Sequence, residues 1–433
     1  MHLRSFWQAL LAIRYSLWFI PALLMSIGIV MAVVAIEADT RIDAGTLARW
    51  PHLFGASAEG ARALLQTVAG AMITVAALTF SITVLVLSLG ASQYTPRVIR
   101  TFMRSRSTQM VLGVFVSIFV YCMVVLRSIR GGEENFVPSV SVTIAALLAI
   151  VGVGVLVYFI HHMATSIQAS TVVVAVAHES EGMVDTLFPE TLGAEDDDMQ
   201  EAACENVGTW FPVASRCTGY LRHVDVEGLA DCAEKHGFVL RMEHPVGTFV
   251  IAGETLAWLD RKLDQRTTEA VNRHYAFGSY RTVEQDVGVG IRQLVDVALT
   301  AMSPARNDTT TALLCIDYLS SILAKLAQRR IVPEHCQRDG RICVVTRGHD
   351  FETFLRDTFD EIRQNADDNS AIYLRLLRAC TRIAALAPSP ARRRQIGAQV
   401  GLTWEYAQCR ISMPDELAAI SRERVLANAA CAP

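Results

Sequence analysis

Residues 63–96 run for 34 consecutive positions without a formal charge, and within that run Thr67, Thr74, Ser81, Ser88 and Thr95 recur at every seventh position. An apolar stretch of about 20 residues already crosses a bilayer, so this segment predicts a membrane helix longer than a bilayer needs. On an α-helix a seven-residue step drifts by only about 20°. The five hydroxyls therefore stay on one sector, beside Gly70, Ala77 and Ala91. Such a stripe has two uses. Small and hydroxylated residues let helix backbones approach and hydrogen-bond in lipid, or they line a wet path through an oligomer. In the second case Thr67, Thr74, Ser81, Ser88 and Thr95 are the pore-lining candidates, with Tyr94 and Arg97 as an inner constriction favouring anions. Arg97 also reads as an ordinary positive-inside anchor.

Three more charge-free windows, 15–36, 107–126 and 135–160, bring the expected number of spans to four. None of the four windows holds Asp, Glu, Lys or Arg. Proton-coupled carriers and voltage sensors depend on such groups, so the pattern argues for a passive path and against both. The first window is too long for a removed signal peptide and reads as a retained anchor. The loop after the second window carries Arg97, Arg100, Arg104 and Arg106 with no acid, whereas the first loop mixes both signs. Arginine-dense short loops stay inside, which predicts an inner-membrane protein with both termini cytoplasmic.

The expected fold class is an integral membrane α-helical protein with four transmembrane helices and a cytoplasmic α+β soluble domain. The expected organisation is a membrane domain over 1–162, a helical and acidic connector over 163–215, a small β-rich module over 216–262 and a mainly helical part over 263–433. The connector includes the acidic run Glu195, Asp196, Asp197, Asp198. Short β-like runs at 238–242 and 248–251 lie beside Gly247 and Gly253, and residues 247–256 resemble half of a lipoyl-type module. No modified-lysine position is evident at a hairpin tip, so a carrier role is not expected. Helices are expected up to Met302, over 309–327, and near 351–363, 371–386 and 391–408, with a short strand at 342–346.

Ten cysteines stand singly with no CxxC pair, which suits a reducing compartment. The adjacent pairs His161–His162 and His335–Cys336 are poor metal sites, and no metal or cofactor is expected. A net charge of −4 with no long basic run gives nucleic acid no purchase. No Walker A, HExxH or G-x-S-x-G run occurs, so an enzyme is not expected. One polar cluster stands out beyond the spans: Arg281, Asp286, Arg292, Asp296, Asn307 and Asp308. It reads either as a structural hydrogen-bond network, with Asp308 capping the next helix, or as a site for a small ion or anion at a helix start.

The runs 79–97 (TFSITVLVLSLGASQYTPR), 108–122 (TQMVLGVFVSIFVYC) and 281–317 (RTVEQDVGVGIRQLVDVALTAMSPARNDTTTALLCID) together resemble the bacterial predicted-membrane-protein family called domain of unknown function 2254. The three occur in the family's order, and the likeness extends over essentially the whole chain. It implies a multi-span amino-terminal part and a soluble carboxy-terminal part, and it supplies no activity or catalytic residue. Ala305, Arg306 and Thr309 depart from the family's usual residues, so a tight glycine turn is not expected there. The expected function is an oligomeric channel for ions or small solutes, its pore lined by the second span and organised or gated by the cytoplasmic domain. The alternative is a membrane-anchored sensor or scaffold whose cytoplasmic domain binds a ligand or partner. Expected partners are the lipid bilayer and further copies of the chain.

Overall fold

The computed structural model describes residues 19–41, 57–93, 106–130, 136–166, 168–192, 209–281, 286–331, 335–338 and 341–432. The chain divides into two compact units, 1–168 and 169–433. Helices dominate both. Five of the described helices are long and apolar enough to cross a membrane by length and composition.

Four of these five make up the first unit: α1 (Phe19–Arg41), α2 (Ala58–Gln93), α3 (Arg106–Ser128) and α4 (Ser139–Ser166). Helix α3 packs against the other three, because its apolar residues repeat with coiled-coil-like spacing. Val111, Phe115, Ile118, Cys122, Val125 and Ile129 are all buried, a seam of alternating four- and three-residue steps. Between α1 and α3 the approach is close enough to require glycine. A Cβ on Gly28 would lie 2.5 Å from Ser117 Oγ, and one on Gly113 would lie 2.6 Å from Leu24 Cδ1. Small residues at such crossings let backbones make contact where lipid supplies no hydrophobic drive.

A buried acid ties this unit together. Asp39, 9% exposed, accepts Val140 N at 2.8 Å, Ser141 N at 2.9 Å and Ser141 Oγ at 2.6 Å. The carboxylate at the end of α1 thus sits on the free N–H groups that open α4 and faces the positive end of its dipole. Tyr121 of α3 donates its hydroxyl to Ser141 O at 3.0 Å, fixing a third helix to the same point.

In the second unit, α5 (Ala169–Leu187) precedes eight strands and eight further helices among the described residues. A five-stranded sheet runs in the order β1 (Phe211–Ala214), β5 (Thr255–Leu259), β3 (Leu240–Met242), β8 (Arg341–Val345), β7 (His335–Arg338). The β3–β8 pair is parallel and the other pairs are antiparallel. A three-stranded sheet runs β4 (Phe249–Val250), β2 (Gly219–Val224), β6 (Tyr275–Gly278). Helices α6 (Val226–His236) and α7 (Gln265–Asn272) complete this part. The strands come from 211–278 and 335–345, so the sheets draw on residues beyond 216–262.

The remaining helices are α8 (Val287–Met302), α9 (Thr309–Ala327), α10 (Phe351–Gln364), α11 (Ser370–Leu386), α12 (Pro390–Arg410) and α13 (Pro414–Cys431). Helix α9 is the fifth of the apolar helices. Half of its most apolar stretch is buried within the second unit, against 17% for α2. It packs on α5, α8 and α11, with Cys315, Ile316, Leu319, Ile322 and Leu323 fully covered.

Candidate functional site

The face of α2 that meets its own unit is formed by Ala61, Leu65, Ala69, Met72 and Ala76, all buried. Thr74 lies nine positions from Leu65, about 180° around a helix of 3.6 residues per turn. The hydroxyl stripe accordingly points away from the packed face, and Thr67, Thr74, Ser81 and Ser88 are all exposed. Gly70 is open as well, since a Cβ there would meet nothing within 4 Å. Three of the hydroxyls donate to the carbonyl one turn back: Thr67 to Ala63 at 2.8 Å, Thr74 to Gly70 at 2.8 Å and Ser81 to Ala77 at 2.9 Å. That bond satisfies the proton and leaves each oxygen's acceptor side outward. Thr95, Tyr94 and Arg97 lie outside the described residues.

Of the six polar residues beyond the spans, Arg281 and Asp286 meet directly. Arg281 donates Nε and Nη2 to Asp286 Oδ2 at 2.9 and 2.6 Å, while Asp286 Oδ1 accepts Gly288 N at 2.9 Å and caps α8. Gly247 presses on this pair with a φ of 93°, and a Cβ there would fall 2.2 Å from Asp286 Oδ2. Only glycine fits that turn, for both its space and its left-handed backbone. One turn into α8, Arg292 donates Nε to Asp296 Oδ1 at 2.7 Å and its two terminal nitrogens to the carboxylate of Glu361. Glu361 sits 69 residues on.

Asn307 and Asp308 lie beyond the other end of α8, about 25 Å away along 16 residues. Asp308 Oδ1 accepts Thr311 N at 3.0 Å and its Oδ2 takes the Thr311 hydroxyl at 2.6 Å, capping α9. The Thr311 hydroxyl, with the backbone N–H groups behind it, holds the Asp308 carboxyl below the usual carboxylate range. Asn307 makes the preceding turn at φ 48°, a left-handed position that Asn tolerates and that needs no glycine. The six residues therefore form two pairs at one end of α8 and a helix cap at the other.

A feature not singled out in the sequence adjoins the first of these. Residues 245–246, residues 346–349 and the start of α8 border an open cavity of about 180 Å³ with mainly apolar walls, including Val224, Met242, Val246, Val287 and Phe354. Asp286 lines it too. A second, polar cavity of about 380 Å³ shares Pro245, Arg347, Gly348 and His349 with the first. Its wall also includes Glu243, His244 and Asp350. Glu243 accepts Trp258 Nε1 at 2.5 Å, and Arg347 donates Nη1 to Glu243 O at 3.0 Å. Asp350 caps α10 through Thr353 N at 2.8 Å. His349 Nε2 is buried and meets no hydrogen-bond partner among the described residues. On the same helix, the Asp357 carboxyl is partly desolvated although the residue keeps solvent contact. Desolvation pushes it above the usual range, with His349, Arg281, Arg356 and Arg292 pulling it back. Among the described residues no group of three or more His, Cys, Asp or Glu is placed to hold a metal ion.

An uncharacterized protein of Mycobacterium bovis is 31% identical over 411 residues, covering 91% of this chain and 76% of the relative. An uncharacterized protein of Mycobacterium tuberculosis strain H37Rv matches to the same extent. No solved structure matches. The family model described as "Predicted membrane protein (DUF2254)" matches residues 14–382, which takes in α1 to α10 and most of α11, and the chain belongs to that family of membrane proteins.

Proposed function

We propose that the protein is a homo-oligomer of the bacterial inner membrane in which α2 lines a passive path for ions or small solutes. On this reading the second unit is cytoplasmic and organises or gates the path. The observation that carries it is the placement of Thr67, Thr74, Ser81 and Ser88 on the exposed face of α2, opposite its own core. A lipid-facing helix gains nothing from a line of hydroxyls and small residues, whereas a face shared between copies does. At 36 residues, about 54 Å, α2 also exceeds a hydrocarbon core of about 30 Å. It reaches past the bilayer.

In this proposal α1 to α4 are the four spans, and α9 is a core helix of the second unit, as its mean hydropathy of 1.3, against 2.2 or more for the other four, supports. An even number of spans puts both termini on one side, and the arginine-only segment 97–106 assigns that side to the cytoplasm. The lack of a charged residue in the four windows supports passive conduction over proton coupling. We read the protein as non-enzymatic.

Reconstitution tests the proposal. Ser81→Leu with Ser88→Leu would narrow and dry the path, because apolar constrictions close by dewetting, so the double variant should remain oligomeric in detergent and lose ion flux in liposomes. Absence of flux from the unaltered protein under gradient, voltage or stretch would contradict it. So would a double variant that dissociates with no change in flux. The second reading, a membrane-anchored sensor or scaffold, is favoured by the paired cavities beside His349.

A further inference from the structure

We infer that the paired cavities of the second unit bind an amphipathic organic anion, with a short apolar tail in the smaller cavity and an anionic head on Arg347 and His349. The inference names the ligand class of the sensor reading and is independent of conduction by the first unit.

The tail end follows from shape and lining. A cavity of about 180 Å³ walled largely by apolar side chains, Met242, Val246, Val287 and Phe354 among them, has room for about six water-sized groups. Its wall is held in place from behind: the Arg281–Asp286 pair is braced against Gly247, where any side chain would collide with Asp286 Oδ2. The cavity is thus built on a partly buried ion pair and a turn with a single permitted residue.

The sign of the head follows from which polar groups are already engaged. The three carboxylates at the cavities have partners: Asp286 holds Arg281 and Gly288 N, Glu243 holds Trp258 Nε1, and Asp350 holds Thr353 N. The donors have capacity left. Arg347 places Nη1 on Glu243 and retains further N–H groups of its five. His349 lines both cavities; its Nε2 is shielded from water and has no partner among the described residues, and a turn of the ring toward the cavity would give it a ligand oxygen. His244 adds a second imidazole to the same wall, and α10 begins directly after Asp350. Unused donors next to a helix start select an anion, and a planar guanidinium suits a carboxylate or a phosphate equally.

The test is calorimetric titration of the full chain in phosphatidylcholine nanodiscs, with empty nanodiscs subtracted. The probes are hexanoate, hexyl phosphate, hexylammonium, hexanol and inorganic phosphate. Hexanoate and hexyl phosphate should each saturate one site per chain, and the tighter of the two identifies the head. Hexylammonium, hexanol and inorganic phosphate should bind at least about ten-fold more weakly, as expected for loss of charged hydrogen bonds or of the tail. Arg347→Ala, at a side chain half exposed to solvent, should weaken hexanoate about ten-fold with little change in the melting temperature of the unliganded protein, and His349→Phe should weaken it as much while leaving the unliganded protein as stable or slightly more stable, because it removes an unsatisfied buried nitrogen. Equal binding of hexylammonium or hexanol, unchanged binding by Arg347→Ala, or no saturable binding of either anion would overturn the inference.

Discussion

Asp39 in the first unit and Asp286 in the second do the same job with different partners. Each is nearly buried, and each carboxylate sits on the opening N–H groups of a helix. Asp286 also has a guanidinium, Arg281, at 2.6 Å. Among the described residues Asp39 has two backbone N–H groups and the Ser141 hydroxyl. In the apolar unit the charge is balanced by hydrogen bonds and a helix dipole, while the second unit can supply a full opposite charge. An acid held by neutral donors from another helix has no substitute when it is removed, whereas an ion pair leaves a partly exposed arginine that water can still reach.

That contrast sets an order of effects. Asp39→Ala should cost the first unit about 3–5 kcal/mol, since it strips three donors of a charged acceptor inside an apolar bundle. Asp39→Asn, which keeps an acceptor, should cost clearly less. Unfolding in mixed micelles would show it, and equal stabilities of Ala variant and unaltered protein would break the comparison. Asp286→Ala should cost about 2–4 kcal/mol by losing a cap and stranding Arg281, read by chemical denaturation of the second unit's signal. Gly247→Ala should lose about 1–3 kcal/mol through the clash with Asp286 and a φ of 93°. An unaffected Gly247→Ala variant would mean that the turn does not brace the pair.

Acid should weaken the Asp308 cap. The Asp308 carboxyl is held below the usual carboxylate range by Thr311. Its contribution is therefore present above the unfolded value of about 3.9 and lost as pH falls through the lower folded value. Asp308→Asn should flatten that limb of the stability curve, and an unchanged limb would contradict the capping role. The smallest effect is expected at Tyr275, whose buried hydroxyl meets no partner among the described residues. Tyr275→Phe should be neutral or slightly stabilising, because it removes an unsatisfied group; a marked loss in a thermal melt would mean that the hydroxyl is bonded.

Much of this was legible locally. The helix at 309–327 follows from an apolar run behind Asp308, and those at 351–363 and 371–386 lie within one residue of Phe351–Gln364 and Ser370–Leu386. Helix α13, Pro414–Cys431, was not foreseen, because its pattern has almost no apolar face and only Ile420 and Ala427 are buried. Long-range partners were the larger gap. Asp39 reads in sequence as a loop acid, yet its partners lie 101 and 102 residues away. Glu243 and Arg347, 104 residues apart, meet because β3 and β8 pair in parallel. The hydroxyl stripe was legible in full, but the side of α2 it occupies depends on which residues face α3, and several faces of so apolar a helix would have served.

On the proposed reading the exposed stripe of α2 faces other copies of the chain. Disulfide cross-linking in native membranes tests it directly, comparing Ser81→Cys with Phe80→Cys, the latter exposed about 100° around the same helix. Rapid cross-linked oligomers are expected for Ser81→Cys, above the background of the native cysteines, and none for Phe80→Cys. Cross-linking at Phe80→Cys but not at Ser81→Cys, or at neither, would contradict it.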